Sequence, residues 1–163
     1  MTKILLLSDT HSYIDADILK YVKLADEVWH AGDIGDLKVT DAIAKLKPLR
    51  AVFGNIDDAK ARVEFPLNNR FHCEGVDVLI THIGGYPGRY SPAIRDEIYK
   101  NPPRIFISGH SHILKVMNDK KRGILHMNPG AIGTHGFHQV RTMLRFEIDG
   151  NDIKNLEVIE FKR

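Results

Sequence analysis

A series of short apolar runs, each halting at a polar residue able to do chemistry, constrains this chain more than any other feature. Lys3-Ile4-Leu5-Leu6-Leu7 halts at Ser8-Asp9-Thr10-His11. An unbroken run of this kind marks a strand covered on both faces, so layers are required on either side. Residues 15–24 follow with Ile18, Leu19 and Val22 at helical spacing. Glu27-Val28-Trp29-His30 is a second strand, ending at Ala31-Gly32-Asp33. Thr40 to Lys47 is helical, with Ile43 and Leu46 on one face and Pro48 as a stop. Leu49 to Phe53 is a third strand, ending at Gly54-Asn55. The order β-α-β-α-β implies parallel strands with right-handed crossovers.

Residues 57–68 read as irregular. Phe71–Cys73 and Val76–Ile80 form a hairpin around Glu74-Gly75, and the second strand ends at Thr81-His82. Gly84-Gly85-Tyr86-Pro87-Gly88 is a loop. Ala93–Lys100 is a helix opened by Pro92. The run Ile105–Ile107 then ends at Gly109-His110-Ser111-His112. Beyond it, Ile113–Asn118, Ile124–Met127, Val140–Ile148 and Ile153–Phe161 are strands without intervening helices, so the second half is expected to be mostly antiparallel. The expected architecture is α/β: two sheets with helices on their outer faces, as one domain over 1–163. A chain of this length can bury roughly 70% of its unfolded surface without a disulfide.

A formal net charge of +2 gives no field that favours duplex nucleic acid or a membrane surface. The single Cys73 excludes an internal disulfide and agrees with a reducing compartment. No apolar stretch has the length of a membrane span, and the N-terminal residues lack signal-peptide character, so a cytoplasmic location is expected.

The strand ends collect Asp9, His11, Asp33, Asn55, His82, His110 and His112. Ligands gather at the carboxyl ends of strands in such sheets. Two carboxylates, an amide oxygen and four imidazoles, with no thiolate, suit Mn²⁺, Fe, Zn²⁺ or Ni²⁺. They are too many for one tetrahedral zinc and suit two ions ~3.5–4 Å apart, with Asp33 as the bridge. Spaced two apart in extended chain, His110 and His112 would face one place. Taken singly, each residue has an ordinary structural use: Asp9 and Asp33 as caps or turn residues, Asn55 as a turn residue, His82 as a strand-end histidine. Their order behind successive apolar runs argues for a joint role.

The motifs Asp9-Thr10-His11, Gly32-Asp33-Ile34-Gly35-Asp36, Gly54-Asn55-Ile56-Asp57, His82 and Gly109-His110-Ser111-His112 resemble the signature of the calcineurin-like metallophosphoesterases. Asn128-Pro129-Gly130-Ala131 is similar to the segment that follows in their small bacterial and archaeal phosphodiesterase branch. The resemblance implies a four-layer αββα sandwich. It implies Asp9, His11, Asp33 and His112 around one ion, and Asp33, Asn55, His82 and His110 around the other. The expected cofactor is a pair of divalent ions, manganese foremost, and the expected partner a small phosphate ester. Relatives of this kind are often dimers or tetramers.

One departure stands out. The family motif has His where this chain has Ile56, which removes the usual leaving-group acid and favours diesters, as in the small branch. The resemblance implies attack by a hydroxide shared between the ions, with Asn55 stabilising the transition state. Asp57 and His30 are candidates for orienting ligands from behind. His135 and His138 are candidate substitute acids, with a solvated glycine-rich loop as the preferred reading. Arg89 reads as solvated and Lys120-Lys121-Arg122 as a charged hairpin tip; His72 and His126 have no assigned role. The alternatives are a phosphomonoesterase and a non-catalytic scaffold for protein-protein interaction, as in the retromer subunit of this fold.

Overall fold

The computed structural model describes residues 1–163. β1 (Thr2–Leu7), β2 (Glu27–His30) and β3 (Leu49–Ala51) are parallel neighbours joined through α1 (Ala16–Leu24) and α2 (Lys38–Ala44). Asp15 caps α1: its carboxylate accepts the Ile18 N–H at 2.9 Å, an arrangement worth about 1 kcal/mol. α2 starts before Thr40 because Asp36 Oδ1 accepts the Lys38 N–H at 2.9 Å and fixes the first turn there.

Within 57–68, expected to be irregular, lies α3 (Ala59–Glu64), capped by Asp58. Its one buried residue is Ala61, so there is no apolar stripe to read from the sequence. The second sheet contains β4 (Asn68–Cys73), β5 (Val76–Thr81), β8 (Ile105–Ile107), β10 (Ile124–Pro129) and β9 (Leu114–Asp119), in that spatial order. The glycine loop between β5 and α4 (Pro92–Lys100) contains a miniature hairpin, β6 (Gly85–Tyr86) and β7 (Arg89–Tyr90).

The expected antiparallel second half holds for the β9–β10 pair and for β11 (Val140–Asp149) with β12 (Asp152–Lys162). What it leaves out is which strands meet. β10 lies parallel to β8, and β11 leaves the second sheet to pair antiparallel with β1. The first sheet is therefore ordered β12-β11-β1-β2-β3. Side-chain alternation fixes which face of a strand is buried, not which neighbour it takes, so these pairings are invisible to periodicity.

The unbroken apolar run of β1 divides by alternation. Ile4 and Leu6 enter the space between the sheets, where Trp29, Val52 and Phe146 meet Ile80, Ile107 and Met127. Leu5 and Leu7 face the other way and pack beneath Ile18 and Val22 of α1 and Ile43 of α2. On the far side, Ile94 and Ile98 of α4 cover Leu79 and Phe106. The layers run helix, sheet, sheet, helix, as expected. No helix is long and apolar enough to cross a membrane.

Phe146, on β11, packs edge-on against Trp29 with ring centroids 5.6 Å apart. Phe146→Ala should lower unfolding stability by ~3–5 kcal/mol in equilibrium urea denaturation, the range for a buried aromatic truncation. A loss under about 1 kcal/mol would mean that β11 does not close the intersheet core.

Candidate metal centre

The candidate donors sit on turns that leave the strand ends in an uncommon conformation. Asp9, His11, Asp33, His110 and His112 all have positive φ, between 45° and 71°. That left-handed region costs free energy for any side chain, though Asp and His enter it more readily than most residues. Because His110 and His112 are left-handed rather than extended, their rings do not point alike. His112 joins Asp9 and His11, and His110 joins Asp33 and His82.

Within each of these two groups the ligand atoms lie within 4.8 Å of one another. His112 Nε2 is 3.2 Å from Asp9 Oδ1. Asp33 Oδ2 lies between the groups, 3.5 Å from His11 Nε2 and 3.2 Å from His82 Nε2. Asn55 Oδ1 is 3.0 Å from His110 Nδ1. All seven expected donors are therefore brought together.

The turns are held from behind. Ser8 Oγ–H and the His110 N–H donate to Asp9 Oδ2, at 2.6 and 3.2 Å, which leaves Oδ1 facing the imidazoles. His82 Nδ1–H donates to Ala31 O at 2.7 Å, so Nε2 faces inward as an acceptor. Asp57 accepts three backbone N–H groups: Gly54 at 2.8 Å, Gly35 at 2.9 Å and Ile34 at 3.1 Å. It thereby ties the turn carrying Asp33 to the turn carrying Asn55. His30 makes no hydrogen bond to a candidate donor side chain. Its Nε2 is 3.0 Å from Thr10 Oγ1 and its Nδ1 accepts the Gly32 N–H at 3.0 Å. Burial pushes its pKa down to about 4, so it bridges two turns as a neutral ring. Asn128 Nδ2 donates to Gly109 O and Ser111 Oγ, which fixes the turn that bears both histidines.

Two glycines make the close approach possible. A Cβ on Gly32 would stand 2.6 Å from His82 Nδ1, and one on Gly54 would overlap the Asp33 carboxylate. Ser8, the Ala31 carbonyl and Asn128 were not candidates from sequence. Ser8 directly precedes Asp9, and Asn128 opens the segment similar to that of the small phosphodiesterase branch; these were the local signals.

Asp9 and Asp33 are buried, and their ion-pair partners are imidazoles alone, with neither Lys nor Arg among them. Burial would raise both carboxyl pKa values. The neighbouring imidazoles of His11 and His112 beside Asp9, and of His11 and His82 beside Asp33, outweigh it and hold both well below the usual range. The Asp33 and Asp9 carboxylates push His11 up to about 9. Burial would lower His82, but Asp33 and Asp9 outweigh it and raise its pKa. Asp9 Oδ1, His11 Nε2 and His82 Nε2 are buried with no hydrogen-bond partner. Inward-facing, unsatisfied N and O donors around two negative charges fit a pair of divalent cations.

The turn after Gly133 is exposed, as the solvated-loop reading expects, and it also lies beside the centre. His135 stacks on His11 with centroids 4.6 Å apart, and His138 meets His112 edge-on at 5.2 Å. Both line an open cleft of about 570 Å³ with His11, Asp33, Asn55 and His110. Arg89 and His72 are exposed and lie outside this cleft.

Two expectations follow. Asp57→Ala would leave three backbone donors unpaired, and should lower Mn²⁺ affinity ~10–100-fold by calorimetry. Unchanged affinity would mean that the turns hold their geometry without it. His11, raised from 6.5 to about 9, contributes to stability of the ion-free fold below pH 6.5 and loses that contribution as pH rises through its folded value. A cation must displace this proton. The rise in melting temperature caused by Mn²⁺ over chelator-treated protein should therefore grow from pH 6.5 towards 9. A constant or shrinking rise would exclude His11 as a displaced acid.

A family model described as the calcineurin-like phosphoesterase superfamily domain matches residues 2–151. Curated proteins give no significant match. Among solved structures, Vps29 of Entamoeba histolytica complexed with Zn²⁺ aligns with a TM-score of 0.75 over 98% of both chains, at 15% identity. A predicted phosphoesterase from Streptococcus pneumoniae TIGR4 aligns with a TM-score of 0.71 over 99% of this chain and 98% of that one, at 21% identity. An archaeal phosphodiesterase aligns with a TM-score of 0.71 over 96% and 99%, at 19% identity. At such identities the structural likeness establishes the fold. The family match spans nearly the whole chain, and this protein belongs to the calcineurin-like phosphoesterase superfamily.

Proposed function

We infer that this protein is a cytoplasmic, metal-dependent phosphodiesterase acting on small phosphate esters. The observation that supports the reading is that Asp33 Oδ2 lies 3.5 Å from His11 Nε2 and 3.2 Å from His82 Nε2, in reach of both candidate donor groups, in the lining of an open cleft. Asp9, His11, Asp33 and His112 would hold one divalent ion, and Asp33, Asn55, His82 and His110 the other, manganese being the first candidate. Bound there, the ions supply Lewis acidity and water of lowered pKa.

The chain's own groups set the rest of the chemistry. The Asn55 amide nitrogen makes no bond within the protein and is free to donate to a phosphate oxygen as negative charge builds on it. Ser8, Ala31 and Asp57 hold donors in place before substrate arrives, so little reorganisation accompanies reaction. Ile56 is 47% exposed and carries no proton. Its place at the cleft wall favours substrates whose leaving groups need little protonation. A non-catalytic scaffold would tolerate loss of donors, whereas here every position is filled and five donors sit on left-handed backbone. Strain of that kind is retained where a site requires it.

With Mn²⁺ present, bis(p-nitrophenyl) phosphate should be hydrolysed much faster than a dialkyl phosphate. Asn55→Ala should lower kcat by ~10²–10³, and chelation should abolish turnover. Turnover indifferent to both chelation and that substitution would end the hydrolase reading.

A further inference from the structure

The metal cleft continues past His110. A second hollow of about 250 Å³ shares His110, Ser111 and Ile113 with it and extends over the outer face of the second sheet, beside the β6–β7 hairpin. Alternation along β10 turns His126 and Asn128 towards this hollow, while Met127 enters the intersheet core. His126 is 1% exposed. Its Nδ1–H donates to Phe106 O at 3.1 Å, and its Nε2 has no partner within the protein. Burial pushes its pKa down to about 4, so that nitrogen is a bare acceptor in the hollow's wall. Asn128 beside it is fully used, donating to Gly109 and Ser111 and accepting from Gly130.

The rest of the wall has a different chemistry. Lys115 Nζ sits 3.8 Å from the centroid of the Tyr86 ring, a cation–π contact that covers one face of a ring still 37% exposed. Lys115 is opposite Asn128 in the β9–β10 register, and so diagonal to His126. Ile83 and Ile113 line the hollow with apolar surface. It thus offers an aromatic surface, a cationic donor and a neutral acceptor, in a volume suited to one planar ring system and too small for a peptide or a duplex. A heteroaromatic ring with both carbonyl and N–H edges complements all of these.

We propose that this hollow seats a nucleobase-like group on one ester arm of a phosphodiester, with Tyr86 as the stacking surface, Lys115 donating to a ring carbonyl and His126 Nε2 accepting a ring N–H. The proposal rests on the phosphodiesterase reading above and names its substrate class. The hollow is continuous with His110, so an arm lying in it leaves the phosphate at the metal cleft.

The test compares two esters with the same leaving group, thymidine 5′-(p-nitrophenyl) phosphate and methyl p-nitrophenyl phosphate. The wild-type protein should show a KM about tenfold lower for the thymidine ester, the scale of one base–aromatic stack. Tyr86→Ala and Lys115→Met should each lower kcat/KM for the thymidine ester about tenfold more than for the methyl ester, through KM. Equal KM values in the wild type, or variants that depress both esters alike, would overturn the proposal. Calorimetry with thymidine 5′-phosphate and inorganic phosphate on the Mn²⁺-loaded protein gives an independent arm. If neither ester is hydrolysed, the phosphodiesterase reading falls and calorimetry alone decides the hollow. Nucleotide binding tighter than phosphate and weakened by Tyr86→Ala supports it; nucleotide binding no tighter than phosphate overturns it.

Discussion

Two buried carboxylates, Asp9 and Asp33, face each other across a cluster of imidazoles with neither lysine nor arginine to balance them. Much of the local structure follows from that electrostatic problem. Placing like charges together in a dry interior is costly unless cations or protons compensate. In the ion-free protein the two carboxylates raise the pKa of His11 and His82, so these rings take up protons more readily than free imidazoles do. A bound divalent pair would take over that role and satisfy the three buried donor atoms that have no partner. The unusual backbone serves the same end. Left-handed turns at Asp9, Asp33, His110 and His112 bring short side chains to a common point that regular strand ends would not reach.

The supporting contacts show how such a cluster is kept in register. Asp57 takes no part in the donor groups, yet three N–H bonds make it the link between the second and third turns. His30 links the first and second through Thr10 and Gly32. Both are nearly inaccessible to solvent, Asp57 at 4% and His30 at 0%, so water competes little for these bonds. The roles divide clearly: residues facing the cleft keep free donor atoms, and residues behind it have theirs satisfied.

This division also explains what the sequence could reveal. The longer strands, the layer order and the seven candidate donors were legible because most combine an apolar run with a polar stop, and that pairing is local in the chain. Asp57 and His30 were visible as neighbours of the motifs, but what they touch was not. The placement of β11 beside β1 was hidden because alternation carries no information about partners. α3 was hidden because a single buried alanine leaves no stripe. The opposite swing of the His110 and His112 rings depends on left-handed φ at non-glycine residues, which composition does not announce. His135 and His138 read as loop residues because nothing in a glycine-rich segment specifies which surface it folds onto.

The donors come from both sheets. Asp9, His11, Asp33 and Asn55 follow β1, β2 and β3, whereas His82, His110 and His112 follow β5 and β8. Each donor group contains members from both: His112 joins Asp9 and His11, while His82 and His110 join Asp33. Cations held there would therefore connect the two layers at one end of the intersheet core. A ligand that binds only the folded form adds stability by mass action, ~2.7 kcal/mol at a hundredfold excess over Kd. In this fold that stabilisation would act across the contact between Trp29, Val52, Ile80 and Ile107 that the sandwich depends on. Metal binding and packing are thus two parts of one constraint: the sheets must meet closely at their carboxyl ends for the donors to converge, and convergence of the donors holds them there.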